Sequence, residues 1–319
     1  MEKIKINFDK NTLNKITEDM NAFNFSNKNN FLNVLLKNYF PTYDNIANKQ
    51  IEKCSKIVNN HISNQTRATE IINDLIKSDP LFAFTKKDSL KHFISFKPTI
   101  YNKKIINMIY NKYLNYQSLS SFFRNMIDKY FSLPQYKREQ IMCLDNYTLI
   151  QEAIESNRII TISIKGETKE VVPYKLVTNK EEIYNYLICF STNQPQFHIS
   201  SYRLYKIDHI YLQQQKANIS ESQLELLDKV SSTYPQFPFS KHENSVIQLS
   251  PQGVKLYASK YLNKPIPYKI ENDLYYFDCA HSQILFHFFS YGKDAKIIEP
   301  AELKEIFKQE YLAAYETYK

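Results

Sequence analysis

Lys3, Lys5 and Asn7 alternate with Ile4, Ile6 and Phe8 near the start of a 319-residue chain. In an extended strand that alternation gathers two ammonium groups and an amide on one face and three apolar side chains on the other. The polar face suits phosphate contact by the lysines and base-edge hydrogen bonding by the asparagine. A second run, Lys91 to Phe96, turns Lys91, Phe93 and Ser95 outward in the same way. Phe93 reads no base edge; it could stack on an unpaired base or pack against a neighbouring surface. Helix starts expected near Ser26–Lys28 and Gln117–Ser120 would each offer free backbone N–H groups to a phosphate, and Lys28 joins the candidates on that ground.

Bond-making chemistry has little to work with. The chain holds no P-loop, no GxGxxG, no nucleophile elbow and no HExxH, and its three glycines, Gly166, Gly253 and Gly292, cannot build a phosphate-cradling loop. His281 and His287 share a short apolar segment and read as core or interface, while His198 and His209 fall on expected strands, where a half-buried histidine is common. Cys54, Cys143, Cys189 and Cys279 stand apart from one another, so they read as reduced thiols rather than a zinc site or a disulfide framework. The expectation is a protein that is not an enzyme, with no metal and no cofactor.

The elements that must position the basic strand follow from charge and periodicity. Residues 1–150 carry 22 Lys and Arg against 13 Asp and Glu, whereas the rest is near neutral, so the net charge of +8 lies in the first half. That asymmetry favours a polyanion-binding N-terminal module. No apolar run approaches 18 residues and Met1–Lys5 leads into no signal-peptide core, so a cytoplasmic protein away from membranes is expected. After the first strand comes a helix with Leu13, Ile16 and Met20 on one stripe. Ser26 then caps a second helix that turns Phe31, Leu32, Leu35, Leu36, Tyr39 and Phe40 inward.

Those six residues recur as Phe122, Phe123, Met126, Ile127, Tyr130 and Phe131, each displaced by 91 positions (122 − 31). Upstream, His92–Phe96 repeats Ile4–Phe8 at an offset of 88 (92 − 4). A strand and two helices cannot bury a core alone, so the repeat supplies the missing partner. The unit resembles the ribbon-helix-helix fold, in which two copies pair their strands into a ribbon that enters the major groove. Pairing within one chain and pairing across a dimer both remain open at this point.

Residues 159–212 hold four or five short strands separated by turns such as Lys165-Gly166-Glu167, which implies antiparallel hairpins and a small sheet that must curl or close. Four segments here are similar to the WYL domain: Asn157-Arg158-Ile159-Ile160, Val172-Pro173-Tyr174-Lys175-Leu176, Asn185-Tyr186-Leu187, and Ser201-Tyr202-Arg203-Leu204-Tyr205-Lys206-Ile207. Asn185 stands where the family has its Trp, Ser200 where an Arg is common, and Lys206 where it has a second Arg. The resemblance implies a small Sm/SH3-like β-barrel and carries the family's ligand role onto Tyr186, Arg203 and Lys206. With Tyr174 and Tyr202 they form the candidate barrel site, in which aromatic faces stack a base and the two cations hold phosphate.

Beyond the barrel, Gln213–Ser240 reads as a linker around a short polar helix. Residues 241–319 alternate strands and helices with near-neutral charge. Ser290-Tyr291-Gly292-Lys293-Asp294-Ala295 followed by Glu299-Pro300 resembles the C-terminal extension of WYL regulators, which implies a role in dimerisation. The organisation expected is a multidomain α+β chain: ribbon-helix-helix-like unit 1 at 1–45, helical connector 46–88, unit 2 at 89–145, WYL barrel 146–214, linker 215–240 and an α+β domain 241–319. Tandem ribbon-helix-helix units ahead of a WYL barrel resemble the WYL accessory proteins of type VI-D CRISPR systems. That resemblance implies binding of single-stranded RNA, a CRISPR effector as partner, a homodimer and a part in antiviral defence. The alternatives are a transcription regulator that binds operator DNA through the ribbon and senses a ligand in the barrel, and a protein-interaction scaffold.

Overall fold

The computed structural model describes residues 3–79, 81–82, 92–179, 183–192 and 196–319. They divide into two compact units, residues 1–145 and 146–319, so the first unit carries the whole basic excess. The mixed α+β character expected from the sequence is present in the element order.

In the first unit, β1 (Ile4–Phe8) leads into α1 (Lys10–Ala22), and Asp9 caps that helix by accepting from the Thr12 N–H at 2.9 Å. α2 runs unbroken from Lys28 to Asn59, followed by α3 (Gln65–Ser78). Then β2 (His92–Phe96), α4 (Ile100–Tyr113), α5 (Leu119–Phe131) and α6 (Gln135–Met142) complete the unit. Two expectations need correction. The N-cap of α2 is Asn27, whose side chain accepts from the Asn30 N–H, and not Ser26. The boundary between 45 and 46 falls inside α2, because Pro41 deletes one N–H without ending a helix whose flanks, Tyr39 and Phe40 before it and Tyr43 and Ala47 after it, are anchored in the core.

β1 pairs antiparallel with β2 in the register Ile4↔Phe96, Ile6↔Ile94, Phe8↔His92. Since 94 − 6 equals the repeat offset of 88, Ile6 faces its own counterpart, and the pseudo-twofold passes through the middle of the ribbon. Ile6, Phe8, Ile94 and Phe96 are buried beneath it, and the Phe96 ring packs edge-on against Phe123 at 5.6 Å. Each second helix clasps the strand end of the opposite copy. From α2, Asn29 Oδ1 accepts from the Lys97 N–H at 2.7 Å and Asn33 Oδ1 from the Thr99 N–H at 2.9 Å. From α5, Ser120 Oγ accepts from the Asn7 N–H at 3.4 Å and Arg124 Nη1 donates to Asn7 O at 3.2 Å. The pairs 29/120 and 33/124 differ by 91, the same displacement as the six apolar residues. The repeat thus extends to exchanged polar contacts that an arbitrary amphipathic helix has no reason to share.

In the second unit, α7 (Leu144–Glu155) precedes β3 (Arg158–Ile164), β4 (Glu167–Asn179), β5 (Tyr184–Ser191), β6 (Ile199–Arg203), a 3-10 turn at Leu204–Lys206 and β7 (His209–Lys216). The strands form one antiparallel sheet in the order β6-β5-β4-β3-β7. The closed barrel expected from the turn spacing is not formed: among the described residues β6 and β7 remain edges that do not pair with each other. Closure is not needed to protect so short an edge as β6, where the Ile199 N–H donates to Ser240 Oγ at 2.8 Å. β5 is nevertheless buried on both of its faces, since all of Asn185–Phe190 is buried.

The helix expected to lie in a linker, α8 (Glu221–Ser232), is part of this core. Leu227 and Val230 are fully buried against Ile159, Val172, Ile188 and Phe190, together with Phe239 and Ala280. Residues 215–240 are therefore not a spacer. The polar surface of α8 hid an apolar stripe wide enough to cover one sheet face. The C-terminal sheet runs β11-β8-β10-β9, with β8 at Asn244–Leu249, β9 at Lys269–Glu271, β10 at Leu274–Asp278 and β11 at Ala295–Glu299. α9 (Pro251–Ser259), α10 (His281–Phe288) and α11 (Ala301–Glu316) cover it, with Phe277, Ile284, Phe288, Leu303 and Phe307 in the core. Ser250 caps α9 and also donates from Oγ to Asp294 Oδ1 at 2.7 Å, which brings Gly253 too close to the Asp294 carbonyl for any side chain.

Candidate nucleic-acid interface

In the first unit the outward face of the ribbon presents Lys5, Asn7, Phe93 and Ser95, with Lys5 opposite Ser95 and Asn7 opposite Phe93. Lys3 is exposed just ahead of β1. Lys5 Nζ lies 3.9 Å from the centroid of the Phe93 ring, so its charge is held over an aromatic face that is itself 56% exposed. Lys91 lies outside the described residues. Because Ile4 pairs with Phe96, and Asn29 holds Lys97, one end of the ribbon gathers Lys3, Lys28 and Lys97. The other end holds Asn7, Ser120 and Arg124, where Arg124 Nη1 also donates to Ser120 Oγ at 2.9 Å. Sequence reading missed Lys97 and Arg124. The repeat offset would have found Arg124, as the counterpart of Asn33 at the start of a core-facing stripe.

In the second unit the five expected residues do not form one site. Tyr186 and Arg203 are register partners on β5 and β6 and share the face covered by α8. Arg203 Nε donates to Tyr186 Oη at 2.9 Å, and the guanidinium lies 4.6 Å from the centroid of the Tyr184 ring. Tyr186 is only 3% exposed, so its ring has no face left for a base. It holds Arg203 in place, while Tyr184, half-buried and 5.6 Å from the ring of Tyr205, supplies the accessible aromatic surface. Lys206, exposed in the 3-10 turn, follows within three residues of Arg203.

Tyr174 is occupied elsewhere: its hydroxyl donates to Asp228 Oδ1 at 2.6 Å, tying β4 to α8. Burial, then that carboxylate, push the phenol up to about 12. Tyr202 pairs with Leu187 and so points to the opposite face of the sheet from Tyr186 and Arg203. There Lys169 Nζ lies 5.7 Å from the centroid of its ring. Both line an open cleft of about 640 Å³ that also takes in Thr161, His198 and Ser200. Lys169 carried no motif signal, because only the pairing register places it; Tyr205 lies inside a motif segment but was not singled out, and its ring contact with Tyr184 is what places it. Asn185, in place of the family's Trp, is buried and accepts from Thr178 Oγ1 at 3.1 Å.

Burial pushes the Cys143 and Cys279 thiols up to about 12, with Glu139 and Asp278 respectively adding to the effect; burial also raises Cys189. Among the described residues no three His, Cys, Asp or Glu side chains converge as metal ligands, and no helix is long and apolar enough to cross a membrane.

Neither a family model nor a curated protein matches the chain. Among solved structures, the crystal structure of a CRISPR Cas-related protein is similar over 99% of this chain and 94% of that chain, with a TM-score of 0.71 and 18% identity. Proteasome accessory factor B/C (PafBC) of Arthrobacter aurescens matches over 59% of this chain and 30% of that one, at a TM-score of 0.25 and 11% identity.

Proposed function

We infer that the protein is a non-enzymatic, nucleic-acid-binding accessory of a CRISPR system, acting in the cytoplasm on single-stranded RNA. The observation that carries this reading is Arg203: a guanidinium braced by the buried Tyr186 hydroxyl, lying over Tyr184, beside Tyr205 and Lys206. A planar cation on an aromatic platform at a half-exposed sheet edge suits a phosphate with an unstacked base beside it. Single strands present both groups, and a duplex hides the base faces. The shared fold of the CRISPR Cas-related protein, over nearly the whole chain, supports the setting. A second copy fits at β9, an edge strand on which Ile270 is 53% exposed. Antiparallel pairing about Ile270 would set Lys269 of each copy against Glu271 of the other; light scattering reads the mass.

The test is a binding competition at near-physiological salt between one single-stranded RNA, its DNA counterpart and the matching duplex. The RNA is expected to win. Arg203→Ala with Lys206→Ala should then weaken RNA binding by roughly 2 kcal/mol, about 30-fold. Unchanged affinity in the folded double variant would remove this cluster from the interface.

A second reading is favoured by the ribbon itself, whose two strands pair in a twofold register, an arrangement similar to the strand pair of the ribbon-helix-helix fold. On this reading a duplex wins the competition, and the ribbon reads operator DNA. Lys3→Ala with Lys5→Ala should in that case make the slope of log affinity against log salt shallower by about 2. A slope identical to that of the unmodified chain would leave the ribbon as a folding device.

A further inference from the structure

We propose that β11 and α11 form a docking groove for an extended, acidic segment of a partner protein, which adds as a strand to the open edge of β11. Among the described residues β11 is hydrogen-bonded to β8 on one side only, so its other side offers a row of backbone groups. The edge does not face open solvent alone. A groove of about 510 Å³ separates it from α11, with Lys293, Lys296 and Ile297 on the strand side and Lys304, Lys308 and Leu312 on the helix side. An edge strand facing a helix across an apolar-floored groove is the geometry in which peptides bind by strand addition, with main-chain hydrogen bonds supplying affinity and flanking pockets supplying specificity.

The charge on the walls selects the partner. Lys308 pairs with Glu305 at 3.5 Å, whereas Lys293, Lys296 and Lys304 have no carboxylate at ion-pair distance among the described residues. Lysine on an edge strand can serve to repel other edges, but that purpose explains neither the lysines on the facing helix nor the apolar floor between them. Carboxylates alternating with apolar side chains would satisfy both features, the carboxylates reaching the lysines and the apolar side chains entering the groove. A register irregularity between Ile297 and Glu299 limits regular pairing to the Ala295–Ile297 stretch, so the partner's contact with β11 is short and α11 contributes the rest.

The experiment is selection of displayed random short peptides on the full chain, followed by anisotropy with the synthetic consensus peptide. The expected consensus alternates Asp or Glu with apolar residues. Its affinity should fall at least about tenfold in Lys296→Glu with Lys304→Glu, both exposed positions. N-methylation of alternate peptide amides in the register facing β11 should abolish binding, and the other register should tolerate it. The proposal is overturned by no enrichment, by binding indifferent to the charge reversal, or by equal tolerance of both methylation patterns. It is also overturned if the double variant loses single-stranded RNA instead, which would make the groove a nucleic-acid surface, or if it converts a dimer to a monomer.

Discussion

Asp19→Ala destabilises the N-terminal unit by about 3–5 kcal/mol, the range expected when one partner of a buried ion pair is removed. Asp19 on α1 is 3% exposed. It accepts from Arg138 Nε at Oδ2 and from Arg138 Nη2 at Oδ1, both at 2.8 Å, a bidentate pair. The Tyr130 hydroxyl donates to Oδ2 at 2.8 Å as well. The deletion strands a fully buried phenol and a guanidinium whose side chain is only 16% exposed, so the loss exceeds that of three ordinary exposed hydrogen bonds. Asp44 is the internal control. It accepts from Lys112 Nζ at 2.8 Å and Tyr113 Oη at 2.6 Å, but the Lys112 side chain is 38% exposed and can return to solvent. Asp44→Ala also leaves the buried Tyr113 hydroxyl with only the 3.4 Å contact to Asn48 Oδ1, but it strands no buried cation, so it should cost less, about 1–2 kcal/mol. Urea unfolding followed by circular dichroism measures both variants, and equal losses would refute the distinction by burial.

Asp19 also shows what the sequence could and could not reveal. Alternation over Lys3–Phe8 and the matching run ending at Phe96 pointed to both strands of the ribbon, because period-two patterning is clear when one face is buried. The 91-residue displacement likewise located α5 from α2. Neither signal specifies polar partners across the fold, so Asp19 with Arg138, and Arg124 with Asn7, were invisible. Pattern reading also errs where a face is covered by something distant. Leu227 and Val230 belong to a helix of mostly polar composition, and only the sheet face they cover makes them core. Tyr186 sits on the strand the sequence pointed to, yet α8 buries its ring, which changes its part from stacking on a base to bracing Arg203. Tyr202 and Arg203 are adjacent in sequence and point to opposite faces. A motif read linearly merges what the pleat separates.

The C-terminal domain should lose stability on acidification through His287, which is 4% exposed. Its Nε2 lies 2.9 Å from the Tyr291 hydroxyl, and the rings of Tyr257 and Phe288 pack at 5.9 and 4.9 Å. Burial first, then the nearby charges of Lys260 and Lys264, lower its pKa to about 4. In the unfolded chain a histidine titrates near 6.5. Between those values the unfolded state binds the proton and the folded state does not, so stability rises with pH across the window. The contribution is complete above about pH 6.5 and is lost as pH falls toward 4, reaching roughly 3 kcal/mol at the acid end. His287→Gln keeps a side-chain partner for Tyr291 and removes the titration. Its unfolding free energy between pH 7 and pH 4 should decline less than that of the unmodified chain, by nearly this amount. Parallel pH profiles for the two proteins would refute this linkage, because they require His287 to bind its proton equally in the folded and unfolded states.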